Sequence, residues 1–214
     1  MTVKTALRLY YITDRRALEP HPLSERIAEA IAAGVDAIQI REKDLPARAL
    51  AEITGRAVED AHGKETRILI NDRLDVAQAL GAHGVHLGRR SLPARVVRAA
   101  VPADFLVGVS CHSLEEALEG EQAGANYVLL GPIFETPSKK AFGPPLGITK
   151  LAEATRRVKI PILALGGITL NDVRSCLDTG AAGIAGIRIF QDCDSLEARV
   201  KQLRATIASS APQA

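Results

Sequence analysis

The chain has 214 residues, 47% of them hydrophobic, which is long enough for one domain to bury a full core. A net charge of +2 and an aromatic content of 3% argue against a nucleic-acid binder, which would present a basic face with stacking rings. The three cysteines lack metal-ligand spacing, and no apolar stretch is long enough for a signal peptide or a membrane span. We therefore expect a cytoplasmic protein with reduced thiols.

A helix–glycine–strand phrase recurs four times along the chain. Each copy begins as an Ala-rich amphipathic helix, breaks at a glycine and resumes as a short apolar strand. A glycine suits each break because the residue after a helix end usually adopts a positive φ. The copies span residues 27–40, 76–87, 117–130 and 173–187, and their breaks are Gly34, Gly81, Gly124 and Gly180.

Four further apolar runs predict the remaining strands, at residues 7–13, 67–71, 106–110 and 161–165. Helix-length segments fill nearly every gap, and Ser91 and Ser113 stand where capping residues are expected. Eight strand–helix units predict one (β/α)8 TIM barrel over residues 1–208, with a flexible tail at 209–214. An open doubly wound sheet is the alternative, although no Gly-x-Gly-x-x-Gly follows the first strand.

In such a barrel the active site lies at the carboxyl ends of the strands. The second strand ends in QIREK, residues 39–43, and its alternation sends Gln39, Arg41 and Lys43 to one side. Two cations and an amide suit an anionic, hydrogen-bonding ligand, whereas the alternative is a solvated charged loop. The third strand ends in Asn71 and Asp72. The carboxylate of Asp72 is a ligand for Mg²⁺, an ion-pair partner for the cations, or the N-cap of a helix at 73–80.

The fifth strand places Ser110 toward the same end, followed by Cys111 as a packed side chain. His86 and His112 are interpreted as structural side chains rather than as acids or bases. After the sixth strand, the loop at 131–140 carries two hydroxyls and two lysines that suit phosphate, and residues 141–147 resemble a lid.

The last two strands end in glycines at residues 166–167 and 186, which let backbone N–H groups approach an anion. Arg188 follows the eighth strand, either as an added cation at the site or as the partner of a surface acid.

Taken together, these motifs resemble the thiamine phosphate synthase and TenI (thiazole tautomerase) superfamily over nearly the whole chain. The motifs are YITD at 11–14, QIREK at 39–43, ND at 71–72, GVHLG at 84–88, SCH at 110–112, the loop at 131–139 and GGI at 166–168. The resemblance implies that hydroxymethylpyrimidine diphosphate condenses with thiazole phosphate to give thiamine phosphate and pyrophosphate. Its expected partners are therefore small phosphorylated molecules, without nucleic acid or membrane, and self-association is left open.

The resemblance also implies the roles of individual residues. Gln39 and Ser110 would contact the pyrimidine, and Asp72 would bind Mg²⁺. The diphosphate would be held by Arg41, Lys43, Asn71 and Lys139. The thiazole phosphate would be contacted by Thr136, Ser138 and the backbone of Gly167 and Ile187, with Arg188 beside it. The expected catalytic residues are Arg41, Lys43, Ser110 and Lys139.

Three positions depart from the synthase pattern. Ser91 stands where a second Mg²⁺-binding carboxylate is expected, next to Arg89 and Arg90. Ser138 replaces the usual second Thr, and Arg188 replaces a Ser. These changes favour the tautomerase branch, whereas Pro132 stands where well-known tautomerases carry a His. A synthase is the favoured interpretation, and a tautomerase or a non-catalytic phosphoheterocycle-binding protein is the alternative.

Overall fold

Eight parallel strands pair in chain order and close into a barrel, with β8 returning to β1. This computed structural model describes residues 7–136 and 144–209. The strands are β1 Leu9–Ile12, β2 Ala37–Ile40, β3 Arg67–Asn71, β4 Gly84–Leu87, β5 Leu106–Cys111, β6 Tyr127–Leu130, β7 Ile162–Leu165 and β8 Gly183–Gly186. The closed barrel confirms the predicted fold and excludes the open sheet.

Helices connect the strands and cover the outside of the barrel. They are α1 Leu23–Ala32, α2 Ala47–Asp60, α3 Leu74–Ala79, α4 Ala94–Ala100, α5 Leu114–Gln122, α6 Gly147–Arg157, α7 Val173–Asp178, α8 Arg188–Gln191 and α9 Leu196–Ser209. Within residues 7–136 and 144–209, none of them is long and apolar enough to cross a membrane. Ser209 is the last residue of α9, and residues 210–214 lie outside the described part.

The strands separate two apolar layers because alternate side chains point to opposite faces. Outward residues such as Ile38 and Ile70 pack with the helices, whereas inward residues such as Leu69 and Leu129 fill the barrel. A glycine makes room for one of the two interior tyrosine rings. A Cβ at Gly108 would stand 2.0 Å from Cζ of Tyr127, so only glycine fits beside this tyrosine.

The turns agree with the sequence in most places. All four break glycines have positive φ, between 66° and 91°, as predicted. Ser113 caps α5 by accepting a hydrogen bond from the N–H of Glu116 at 3.2 Å. The predicted capping role of Ser91 is wrong, because α4 begins after Pro93 and the Ser91 hydroxyl accepts from the N–H of Gly88 at 2.8 Å instead.

Candidate functional site

The loop after β2 is held by a buried carboxylate that the sequence analysis did not assign. Glu42 is 5% exposed; it accepts a hydrogen bond from the Thr13 hydroxyl at 2.6 Å and pairs with the Arg15 guanidinium at 3.1 Å. The same Thr13 oxygen accepts from the N–H of Arg41 at 2.9 Å. These bonds fix the backbone from which Arg41 and Lys43 project at the carboxyl end of the strand, which we call the barrel mouth.

Four charged residues share this part of the mouth. Burial, followed by the positive charges of Arg41 and Arg90, lowers the pKa of Lys43, whereas the carboxylate of Asp72 raises it. The structure therefore places Arg90, from the loop after β4, in the electrostatic environment of the cations from the β2 loop. Three positive groups and one carboxylate leave a net positive charge here, which attracts anions.

Asp72 ends β3 in a backbone conformation that is uncommon for a residue with a side chain. Its φ is 66°, in the left-handed region that Asp and Asn tolerate better than most residues. The alternative that Asp72 caps a helix is wrong: the N-cap of α3 is Arg73, and no side chain caps that helix. Among residues 7–136 and 144–209, the exposed carboxylate of Asp72 makes no hydrogen bond or ion pair, so it is available to a ligand.

Asn71 precedes Asp72, pairs in register with His86, and is half-buried at the mouth. Its backbone oxygen accepts from the N–H of Arg73 at 2.8 Å, which begins the turn toward α3. Its inward position is the one predicted for a ligand-contacting residue, and the contact itself stays a prediction.

A hydrogen-bonded chain of polar side chains crosses the barrel interior beneath the mouth. Gln39 Nε2 donates to the Tyr10 hydroxyl at 3.0 Å, and the Tyr10 and Tyr127 hydroxyls lie 2.8 Å apart. His86 joins through Nδ1, 3.2 Å from the Tyr127 hydroxyl, and through Nε2, 2.8 Å from Ser110 Oγ. We call this set the interior chain. It connects β2 to β5, so Gln39 and Ser110, both predicted at the site, form its two ends.

Burial determines the protonation of the middle of the interior chain. Burial, and then the charge of Arg41, lowers the pKa of His86 to about 3, so the imidazole is neutral at physiological pH. Burial also raises the pKa of Tyr10 and of Tyr127 well above the ordinary value. The His86 ring stacks on Tyr127 with centroids 5.8 Å apart, and Tyr10 meets His86 edge-on at 6.2 Å.

The interpretation of His86 as a packed structural side chain is incomplete, because both of its nitrogens are hydrogen-bonded to polar groups and one partner is a predicted site residue. A signal was present in the sequence. His86, Tyr10 and Tyr127 share the inward parity of Gln39 and Ser110, and inward polar residues need partners inside a barrel.

The opposite part of the mouth is built from backbone. The pairing between β6 and β7 continues beyond the strands: the N–H of Ile133 donates to the backbone oxygen of Leu165, and the N–H of Phe134 donates to that of Gly166. Gly167 has a φ of 68°, and a Cβ there would stand 2.4 Å from the backbone oxygen of Glu135. Within the described ranges, the N–H groups of Gly167 and Ile168 make no hydrogen bond. They are therefore available to an anion.

The remaining predicted residues are distributed around these two regions. Thr136 is the last described residue of the loop after β6, and Ser138 and Lys139 lie outside the described residues. Ile187 is half-buried after β8, and Arg188, at the start of α8, is exposed. Within residues 7–136 and 144–209, no acidic side chain pairs with Arg188, so these residues do not support the alternative of a surface ion pair.

The end of the predicted lid is anchored. Residues 141–143 lie outside the described part, but the N–H of Leu146 donates to Pro132 at 2.8 Å and the N–H of Gly147 donates to Ile133 at 3.0 Å. A lid motion would therefore end at Leu146, and the motion itself stays a prediction.

Cys111 is buried and His112 is engaged by a neighbouring carboxylate, and the interpretation of His112 as structural stays a prediction. Cys111 is 3% exposed in the outer apolar layer, and burial raises the pKa of its thiol to about 12. His112 is held by Glu116, whose carboxylate accepts from the backbone N–H of His112 at 2.6 Å. All three cysteines are free thiols, as expected.

Comparison with known proteins agrees with this geometry. The family model described as thiamine monophosphate synthase matches residues 9–190. A thiamine-phosphate synthase from Roseiflexus sp. (strain RS-1) is 39% identical over 94% of this chain and 86% of its own length. One from Clostridium novyi (strain NT) is 38% identical over 92% and 96%. The solved thiamine phosphate pyrophosphorylase from Pyrococcus furiosus has a TM-score of 0.88 and 35% identity, covering 98% of this chain and 99% of that chain. The chain therefore belongs to the thiamine monophosphate synthase family.

Proposed function

We propose that the chain is a thiamine-phosphate synthase that joins hydroxymethylpyrimidine diphosphate to thiazole phosphate. The observation that carries the proposal is the cationic group of Arg41, Lys43 and Arg90 at the mouth, together with the interior chain that ends in Gln39 and Ser110. The membership in the family supports the same reaction. We place the reaction in the cytoplasm because the described cysteines are free thiols.

The diphosphate would bind where positive charge is concentrated. The bond between the pyrimidine methyl carbon and the diphosphate oxygen breaks, and its electron pair leaves with pyrophosphate. Arg41 and Lys43 stabilise the charge on that leaving group, with Asn71 and Lys139 as the further predicted contacts. The lone pair of the thiazole nitrogen then forms the new carbon–nitrogen bond, so this chain needs no covalent intermediate.

We propose that Mg²⁺ binds through Asp72 together with phosphate oxygens of the substrate. The carboxylate of Asp72 fits this role because it has no partner among the described residues, and Mg²⁺ is commonly held by one or two carboxylates plus phosphates. The residues described contain no group of three or more His, Cys, Asp or Glu side chains able to hold a metal by themselves. When bound, the ion would offset negative charge on the departing pyrophosphate.

We propose that the positive charge of Arg90 partly replaces the Mg²⁺ charge that a second carboxylate, at position 91, would hold. The Ser91 hydroxyl, at the position of the expected second carboxylate, already accepts from the N–H of Gly88. Ser91→Asp would restore a metal ligand in the same turn. We expect this variant to reach half-maximal activity at lower Mg²⁺ than the wild type; equal Mg²⁺ dependence of the two proteins would contradict the proposal.

The thiazole phosphate would bind on the backbone side of the mouth. The N–H groups of Gly167 and Ile168 can donate to phosphate oxygens, as the C-terminal loops of β7 and β8 commonly do in this fold. Thr136, Ser138, Ile187 and Arg188 are the further predicted contacts. Self-association stays a prediction, which light scattering after gel filtration would measure.

The direct test is to incubate the purified protein with both phosphorylated substrates and Mg²⁺ and to quantify thiamine phosphate and pyrophosphate. We expect the two products in equal amounts. Absence of thiamine phosphate at high protein concentration, with both substrates intact, would overturn the proposed function.

A further inference from the structure

The hydrogen bonds of the interior chain all donate in one direction, from Gln39 toward Ser110, and the donors and acceptors available determine that direction. Because Gln39 Nε2 donates to the Tyr10 oxygen, the Tyr10 proton is available for Tyr127. The Tyr127 proton then faces Nδ1 of His86, and a neutral imidazole that accepts at Nδ1 carries its proton on Nε2. That proton is donated to Ser110 Oγ, 2.8 Å away.

The opposite direction is unfavourable while the amide of Gln39 keeps this orientation. Tyr10 would then accept from both Gln39 and Tyr127, and its own proton would have no acceptor in a barrel interior where Tyr10 is 0% exposed. A buried donor without a partner is costly. The reversed chain becomes consistent only if the Gln39 amide turns over and presents its oxygen to Tyr10. Each orientation of Gln39 therefore specifies one direction for the whole chain.

We infer that Tyr10, Tyr127 and His86 are positioning residues that make the two ends of the interior chain present opposite hydrogen-bonding character to the pyrimidine. In the structure, the Gln39 amide oxygen is left as an acceptor and the Ser110 hydroxyl is left as a donor. Neither group makes another hydrogen bond within the described ranges. The inference rests on the proposed function for the identity of the ligand but not for the direction of the chain.

The arrangement selects the chemistry of the ring between the two ends. A ligand there must donate a hydrogen bond to Gln39 and accept one from Ser110. An aminopyrimidine does both, because its exocyclic amino group donates and its ring nitrogens accept. An analogue with a carbonyl oxygen in place of the amino group would set an acceptor against the Gln39 oxygen and be rejected.

The direction of the chain can be measured without substrate. Besides His83, whose Nδ1 accepts from the N–H of Ile68 at 3.0 Å, we expect long-range ¹H–¹⁵N spectra of protein with labelled histidine to show His86 as a neutral tautomer with its proton on Nε2. Its signals should not change between about pH 5 and 8, and should be missing in His86→Asn. A proton on Nδ1 of His86, or ordinary titration of that ring, would overturn the inference.

Tyr127→Phe tests whether the chain acts on the pyrimidine. The substitution removes one hydroxyl from the middle of the chain, so Gln39 and the imidazole of His86 lose their fixed orientation. We expect KM for the pyrimidine diphosphate to rise roughly tenfold with kcat nearly unchanged. The preference for the amino substrate over the carbonyl analogue should fall by roughly the same factor. An unchanged KM and preference would overturn the positioning role.

Tyr11→Phe is the matched control. Tyr11 is also a fully buried tyrosine of β1, but its side chain packs against Phe190 outside the barrel, and its hydroxyl has no hydrogen-bond partner in the described part of the chain. We expect this variant to keep the KM, the analogue preference and the His86 spectrum of the wild type. An equal loss in both variants would assign the effect to general packing and overturn the inference.

The experiments distinguish a failure of the proposed synthase activity from a failure of the inference about the interior chain. A wild-type protein that forms no thiamine phosphate but shows the Nε2 tautomer of His86 would refute the synthase activity and leave the direction of the chain intact. An active enzyme with the opposite tautomer would refute the inference alone.

Discussion

The two sides of the barrel mouth differ in how they can hold an anion. After β2, β3 and β4, charged side chains dominate: Arg41, Arg90 and Asp72 all act on the pKa of Lys43. After β7, the available groups are backbone N–H donors, at Gly167 and Ile168. The first side offers several full charges on side chains, and the second offers backbone dipoles at a position where a Cβ would collide with its neighbours.

This difference matches the two phosphates of the proposed reaction. A leaving pyrophosphate gains charge as its bond breaks, so full positive charges and a metal stabilise it most when it departs. The phosphate of the thiazole keeps its charge throughout, so it needs only a fixed position. We therefore expect substitutions on the first side to affect the chemical step and substitutions on the second side to affect binding of one substrate.

The largest expected effect tests the charged side. Arg41→Ala removes a guanidinium but keeps the backbone N–H that Thr13 holds. We expect kcat/KM for the pyrimidine diphosphate to fall about 100-fold, as befits a lost charged hydrogen bond. Steady-state kinetics with saturating thiazole phosphate measures this kcat/KM. Arg16→Ala is the control, since Arg16 lies on the neighbouring loop and pairs with Asp44. An equal loss in both variants would contradict the assignment.

The backbone side is tested by Gly167→Ala. The added Cβ would collide with the backbone oxygen of Glu135 and would require a strained positive φ. We expect KM for thiazole phosphate to rise about tenfold or more, and KM for the pyrimidine diphosphate to stay within about twofold. Gly63→Ala is the control, because Gly63 also has a positive φ, 71°, but no atom of the described residues lies within 4 Å of its Cβ position. If Gly167→Ala raised both KM values equally, the two sides would not be separate.

The metal is tested by Asp72→Asn, which removes the charge while keeping a residue that tolerates the left-handed backbone. We expect the Mg²⁺ concentration for half-maximal activity to increase several-fold, with the fold unchanged by circular dichroism. Asp104→Asn, an exposed carboxylate in the loop before β5, controls for net charge. Equal Mg²⁺ dependence in Asp72→Asn and wild type would remove Asp72 from the metal site.

The last test concerns stability rather than activity and is made at His86, in the middle of the interior chain. The pKa of His86 is about 3 in the folded protein and has an ordinary value of 6.5. Between these values the unfolded chain binds more protons, so the free energy of unfolding decreases as the pH falls through this window, by at most about 1.4 kcal/mol per pH unit. The free energy of unfolding can be measured with urea at several pH values between 4 and 7. Its change per pH unit should be smaller for His86→Asn than for the wild type. Identical slopes would mean that His86 is not neutral when folded.

Much of the fold was readable in the sequence because it is local. Each of the four helix–glycine–strand phrases contains its own turn, and all four glycines have the expected backbone conformation. The family and the closed barrel are also confirmed. They could be predicted because the motifs at the strand ends are contiguous in the sequence.

The interior chain was not predicted as a unit because its members come from five strands. Parity places Tyr10, His86 and Tyr127 inside, but only the three-dimensional register brings their polar atoms within hydrogen-bond distance. The anchoring of the β2 loop by Glu42 was missed for a similar reason. Its partners, Thr13 and Arg15, precede it by more than 25 residues.

The contact between Gly108 and Tyr127 limits which substitutions this barrel can accept. Any side chain at position 108 must be accompanied by a smaller residue at 127, because the ring already fills the space where a Cβ would lie. A smaller residue there removes the hydroxyl that joins Tyr10 to His86. Libraries that vary the two positions together should therefore yield folded proteins that have lost their preference for the amino group of the pyrimidine.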